Sequence, residues 1–136
     1  MEQSNYNRTG GLKNWEINKL NRLKNEMIQT ELMSMMCMED VLSSNTELIV
    51  RSRIAYDATQ EFITYLRHIN DRYLSYPNNN IYANGLREYI INEMITYKVN
   101  DDGYSAYIFH KAVSESGCKF LINALKEVDS RVREAM

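Results

Sequence analysis

The strongest constraint in this chain is a run of apolar or small side chains at Leu48, Ser52, Ala55, Thr59, Phe62, Leu66, Ile69 and Tyr73, spaced alternately four and three residues apart. A helix with 3.6 residues per turn puts all eight on one side, whereas a strand would scatter them over both faces. The spacing predicts one continuous helix over about 46–74, roughly 40 Å long at about 1.5 Å per residue. A stripe of that length needs other helices to cover it, so this segment is expected to be the long central helix of an all-α bundle. In front of it, Ser44 and Glu47 have the S-x-x-E spacing of a capping box, in which hydroxyl and carboxylate each satisfy a free backbone N–H.

Punctuation elsewhere is sparse. The chain has five Gly and one Pro in 136 residues, which favours long uninterrupted elements. Ile17, Leu20, Leu23 and Met27 recur at helical spacing, widened by Ile28, Leu32 and Met36, and predict a first helix over 12–40. Ser75 to Asn80, with Pro77 and three Asn, reads as a loop. Asn84-Gly85 is the expected start of a third helix, with Leu86, Tyr89, Ile90, Glu93, Met94 and Tyr97 on one face.

Asp102-Gly103 sits between residues rich in strand formers, so a short β-hairpin over 96–110 competes with helix there. Helix is the preferred reading, with Tyr104, Tyr107, Ile108, Lys111 and Ala112 sharing a face. The last segment, 114–135, aligns Cys118, Leu121, Leu125, Val128 and Val132, with Gly117 marking a kink or break. The expectation is a single-domain bundle of four to five helices over 12–136, preceded by a flexible polar tail over 1–11.

At this length about two-thirds of the chain's surface can be buried without metal or disulfide staples. Cys37 and Cys118 both have apolar neighbours and are expected to be reduced and buried. No stretch is apolar and long enough to cross a membrane. The polar N-terminus lacks an apolar signal core, so a cytoplasmic location is expected, that of the host if the gene is viral.

The net charge of −2 excludes a generally polybasic nucleic-acid coat. The two histidines, His68 and His110, are in no metal-ligand motif, and no phosphate-binding or nucleophile motif occurs. No cofactor, metal or catalytic activity is therefore expected.

Two features point to binding. Five of the eight methionines fall within 27–38, and Met33, Met35, Met36 and Met38 sit in an uncharged run from Leu32. Consecutive apolar positions point all round a helix, so one core-facing stripe cannot hide them, and thioethers suit adaptable contact surfaces. With Tyr76 and Tyr82 as a secondary site, they are the expected contacts to a protein partner. The leading reading is a non-enzymatic protein that binds another protein. A phage- or virus-type regulator or inhibitor of a host factor is the expected role, the Asn, Ile, Tyr and Lys bias being common in AT-rich genomes, including those of many phages, viruses and low-GC bacteria.

A self-assembling structural subunit or homodimer through the same methionines is an alternative. The other alternative is a nucleic-acid-binding arm over residues 8–24. There Lys13, Trp15, Lys19, Arg22 and Lys24 interleave charge with an aromatic ring.

Overall fold

The computed structural model describes residues 11–39, 45–75 and 80–135. The chain is an all-α bundle built from α1 (Asn14–Glu39), α2 (Asn45–Leu74), α3 (Asn80–Val99), α4 (Gly103–Glu115), α5 (Lys119–Leu125) and α6 (Val128–Ala135). Residues 1–10 of the expected tail, and Ser44 of the expected cap, lie outside the described residues.

The long helix forms as its periodicity requires. It has 30 residues, about 45 Å at 1.5 Å per residue, and buries Ala55, Phe62, Leu66, Ile69 and Tyr73 of the predicted stripe. α1 runs antiparallel beside it. Tyr73 of α2 meets Glu16 of α1 at one end of the pair, and Ser34 meets Ser52 at 3.3 Å toward the other. Leu20, Leu23, Met27 and Ile28 of α1 complete this side of the core.

α4 covers one side of the hairpin, with Ile108, Phe109, Ala112 and Val113 buried. The rings of Phe109 and Phe62 lie 5.8 Å apart and tilted, and Tyr97 meets Phe109 edge-on at 6.0 Å, arrangements that aromatic quadrupoles favour. α3 contacts α2, α4, α5 and α6 and buries Leu86, Tyr89, Ile90, Ile91 and Met94.

Three local expectations change. α3 starts at Asn80, earlier than Asn84-Gly85 suggested. Gly85 lies within the helix, its cost of about 1 kcal/mol offset by burial of Leu86 and Ile90 just after it. The exposed face of α4 carries Tyr104 and Tyr107, while Ser105, Phe109 and Val113 turn inward with Ile108 and Ala112. Tyrosine and lysine tolerate solvent that phenylalanine and valine do not.

The alternative hairpin over 96–110 does not form. Instead the Asp101 N–H donates to the Lys98 carbonyl at 3.2 Å and the Asp102 N–H to Tyr97 at 2.8 Å. This is the paired bonding of a Schellman C-cap. Asp101 holds the left-handed conformation (φ 57°), and Asp102 caps α4 by accepting from the Ser105 N–H at 3.1 Å.

At Gly117 the last segment breaks, as its sequence suggests. The residue has φ +72°, and the Arg67 guanidinium covers the end of α4 by donating to the Ser116 and Glu115 carbonyls at 2.8 and 3.0 Å. Both cysteines are free and buried.

A side chain at Asp101 resists the left-handed conformation that the C-cap needs, and glycine does not. Asp101→Gly is therefore expected to raise stability by about 0.5–1 kcal/mol. The check is a higher urea midpoint with an unchanged denaturant slope.

Candidate interaction surface

The hairpin of α1 and α2 presents three surfaces: a locked base, an open face and an exposed tip. The base is built around Glu16, which is 1 % exposed. Its carboxylate accepts from the Lys13 N–H at 3.0 Å, closing the first turn of α1. It also accepts from the Tyr73 hydroxyl at 2.5 Å and has the Arg72 guanidinium at 3.6 Å. The Tyr73 ring stacks on Tyr82 at 4.7 Å. Gly11, the last residue of the expected tail, is buried beneath that stack (φ +67°), with no space for a Cβ against Tyr82 and the Ile81 carbonyl.

The open face lies opposite α4. Trp15, Lys19 and Arg22 on α1 and Asp57, Glu61, Thr64 and His68 on α2 line a groove of about 850 Å³. Trp15 stands 54 % exposed at one end. The Lys19 ammonium sits 4.5 Å from the centre of the Tyr65 ring, and His68 stacks on the same tyrosine. Met33 and Ile54 continue the face beyond the groove, flanking a shallow depression with Thr30 and Arg51.

At the tip, Met33, Met36, Met38, Ile49, Val50 and Ile54 are all exposed. No residue of α2 before Ala55 is buried, so this end of α2 adds no buried side chain to the core. Met35 differs from its neighbours. It packs against the core and lines a cleft between the hairpin and α4. Ile49, Val50 and Ile54 were missed in the sequence. They lie off the stripe that begins at Leu48, an apolar surplus at the end of α2 that the core stripe does not use.

The remaining expected site residues are divided. Lys24 is withdrawn from any phosphate: it is buried, ion-paired with Glu93 and 5.5 Å from the Tyr97 ring centre, because α3 closes over that side of α1. Tyr82 is half-buried in the stack on Tyr73. Tyr76 and Arg8 lie outside the described residues. Lys19 and Arg22 are exposed and Lys13 half-buried, but the acids of α2 face the first two across the groove.

Among the described residues, no three His, Cys, Asp or Glu side chains converge as metal ligands. Among the same residues, no helix is long and apolar enough to cross a membrane. No family model matches the chain, no curated protein is significantly similar to it, and no solved structure matches its fold.

Removing the Glu16 carboxylate leaves the Tyr73 hydroxyl and the Lys13 N–H without their acceptor. Glu16→Ala is expected to cost about 2–3 kcal/mol, Arg72 being partly solvated, measured by urea unfolding. Burial, reinforced at Tyr73 by the bond to Glu16 and at Tyr89 and Tyr97 by the nearby Glu93 charge, holds these phenols above the ordinary value of 10.0.

In the unfolded chain the same phenols ionise first, so the stability they carry is complete below pH 10 and falls as pH rises beyond it. The urea midpoint is expected to drop as pH rises from about 10 toward 12, and absorbance at the tyrosinate band to show a late-titrating fraction.

Proposed function

We propose that the protein acts by binding another protein, as a regulator or inhibitor does, through the exposed tip of the α1–α2 hairpin. The observation that carries this reading is the tip itself: six large apolar side chains, each between 46 and 68 % exposed, gathered at one end of one element. Singly exposed apolar residues are ordinary, but the largest apolar patch on a typical monomer is only about 300–600 Å² and is often functional. Met33, Met36 and Met38 add flexible, polarizable contact atoms that adapt to a partner, while Ile49, Val50 and Ile54 are stiff. Arg51 and Glu47 are ion-paired at 3.1 Å on the rim, giving the apolar centre and polar border common to protein interfaces.

The nucleic-acid reading draws less support. Of its five residues, Lys24 is internally paired and Lys19 lies on Tyr65. A phosphate backbone in the groove would meet Asp57 and Glu61. A catalytic reading finds no hydrogen-bonded acid–base pair in the grooves described, among the described residues. His110 and Ser114 make a long 3.4 Å contact on an exposed turn of α4, and His68 is engaged with a ring.

The test uses Met36→Lys with Val50→Lys. Both side chains are exposed and outside the core, so helical circular dichroism and the thermal midpoint should stay within ordinary surface-mutation scatter. Capture of a stoichiometric, nuclease-resistant protein partner by the wild type, lost in the variant, is the expected result. Capture that survives both lysines would remove the tip from the interface, and capture that disappears on nuclease treatment would replace this reading with the nucleic-acid one.

A further inference from the structure

We propose that the open face of the hairpin is a self-association surface, on which a second copy docks with its helices antiparallel to the first. A contact about a two-fold axis must be self-complementary: if residue i meets residue j of the other copy, j meets i. The open face of this hairpin meets that condition on α1 and comes close to it on α2.

On α1 the exposed positions that share this face include Trp15, Lys19, Arg22, Glu26, Gln29 and Met33. Reflecting the order of these positions about the level between Arg22 and Glu26 pairs Arg22 with Glu26 and Trp15 with Met33. The first pair is an ion pair made twice. The second sets a thioether on an indole, also twice, a favourable contact of sulfur and ring.

The level on α2 is fixed by the hairpin's own contacts. Glu16 meets Tyr73 and Ser34 meets Ser52, so the middle of that stretch of α1 lies beside residues 62 and 63. The level between Arg22 and Glu26 is one residue short of that middle and lies beside residues 63 and 64, so reflection brings Asp57 to within about 4 Å of the height of His68 and Glu61 to within about 4 Å of that of Thr64, each an acid near a donor. A two-fold axis parallel to the helices would instead set α1 over α2, with Glu26 at the level of Glu61. Charge therefore selects the antiparallel arrangement.

Arg22 and Glu26 are also free to pair across the interface. Neither has an ion-pair partner among the described residues. Their order along α1, base before acid, is the weaker one for pairing within a helix.

The matched stretch runs from residue 15 to residue 33, about 27 Å at 1.5 Å per residue. Two helices side by side present a strip about 20 Å wide, so the two copies bury roughly 1,100 Å² in total, the low end for specific interfaces. A weak, concentration-dependent dimer follows. Met33 belongs to both surfaces, but Met36, Met38, Ile49 and Val50 lie beyond the matched stretch, so the dimer is tested apart from the function proposed for the tip.

Sedimentation equilibrium of the full chain, from roughly 1 to 500 µM, tests it. The wild type is expected to move from a mass of 16.0 kDa toward twice that value. Arg22→Glu puts like charges at both symmetry-related contacts and should raise the dissociation constant at least about tenfold. Combining Arg22→Glu with Glu26→Arg restores opposite charges at both and should recover wild-type association to within about threefold.

Met36→Lys with Val50→Lys should leave the dimer unchanged, which separates it from any role of the tip. A wild type monomeric throughout, a dimer indifferent to Arg22→Glu, or a charge swap that fails to restore it would each overturn the proposal. A dimer lost only with the tip lysines would overturn it too.

Discussion

The placement of one buried carboxylate governs much of this structure. Taking an ionised side chain out of water costs several kcal/mol unless the protein replaces the lost solvation. Glu16 is replaced from three sides: by the backbone of its own first turn, by Tyr73 near the end of α2, and by Arg72 beside it. Those donors fix where α1 starts and at what height it stands against α2. A slip of one helical turn would leave the carboxylate facing apolar side chains. The same contact orients Tyr73, on whose ring Tyr82 stacks, and so positions the first turn of α3. Lys24 and Glu93 repeat the device farther along, joining α1 to α3. Leucine, isoleucine and methionine alone would pack in several registers with similar energy, and these polar contacts distinguish one of them.

Periodicity made the helices legible, because a stripe of eight positions on α2 has no other economical explanation. The exposed methionines were legible for the opposite reason: an uncharged run pointing all round a helix cannot be satisfied by one core. Sequence said less where a residue's role depends on a distant partner. Lys24 reads as a surface base until α3, 69 positions away, brings Glu93 to it. Gly11 reads as the end of a tail until Tyr82 packs over it. Tyr107 and Phe109 are hard to rank from sequence because each suits a helical core face, and only the phenol tolerates water. The charges of the open face carry no pattern until α1 and α2 are set antiparallel at a known height.

The hairpin thus divides its labour along its length. Near the base, charges are buried, satisfied and coupled to α3, and substitutions there act on the fold. Along the middle, one side is covered by α4 and the other is a groove whose bases and acids sit on different helices. At the tip, Glu31 and Thr59, then Ser34 and Ser52, hold the helices together by hydrogen bonds, Cys37 is buried, and Met33, Met36, Met38, Ile49, Val50 and Ile54 face outward.

That the first ten residues of α2 bury nothing has a further consequence. Under the function proposed for the tip, stability and recognition are carried by different residues, so they can change independently over generations. A mutation at Ile49 or Val50 alters what the tip fits without opening a cavity, and the chain need not pass through a poorly folded intermediate to acquire a new partner. A binding surface built into the core would force each such step to be compensated elsewhere. On that proposal the fold is a fixed handle and the tip an end that can be rewritten.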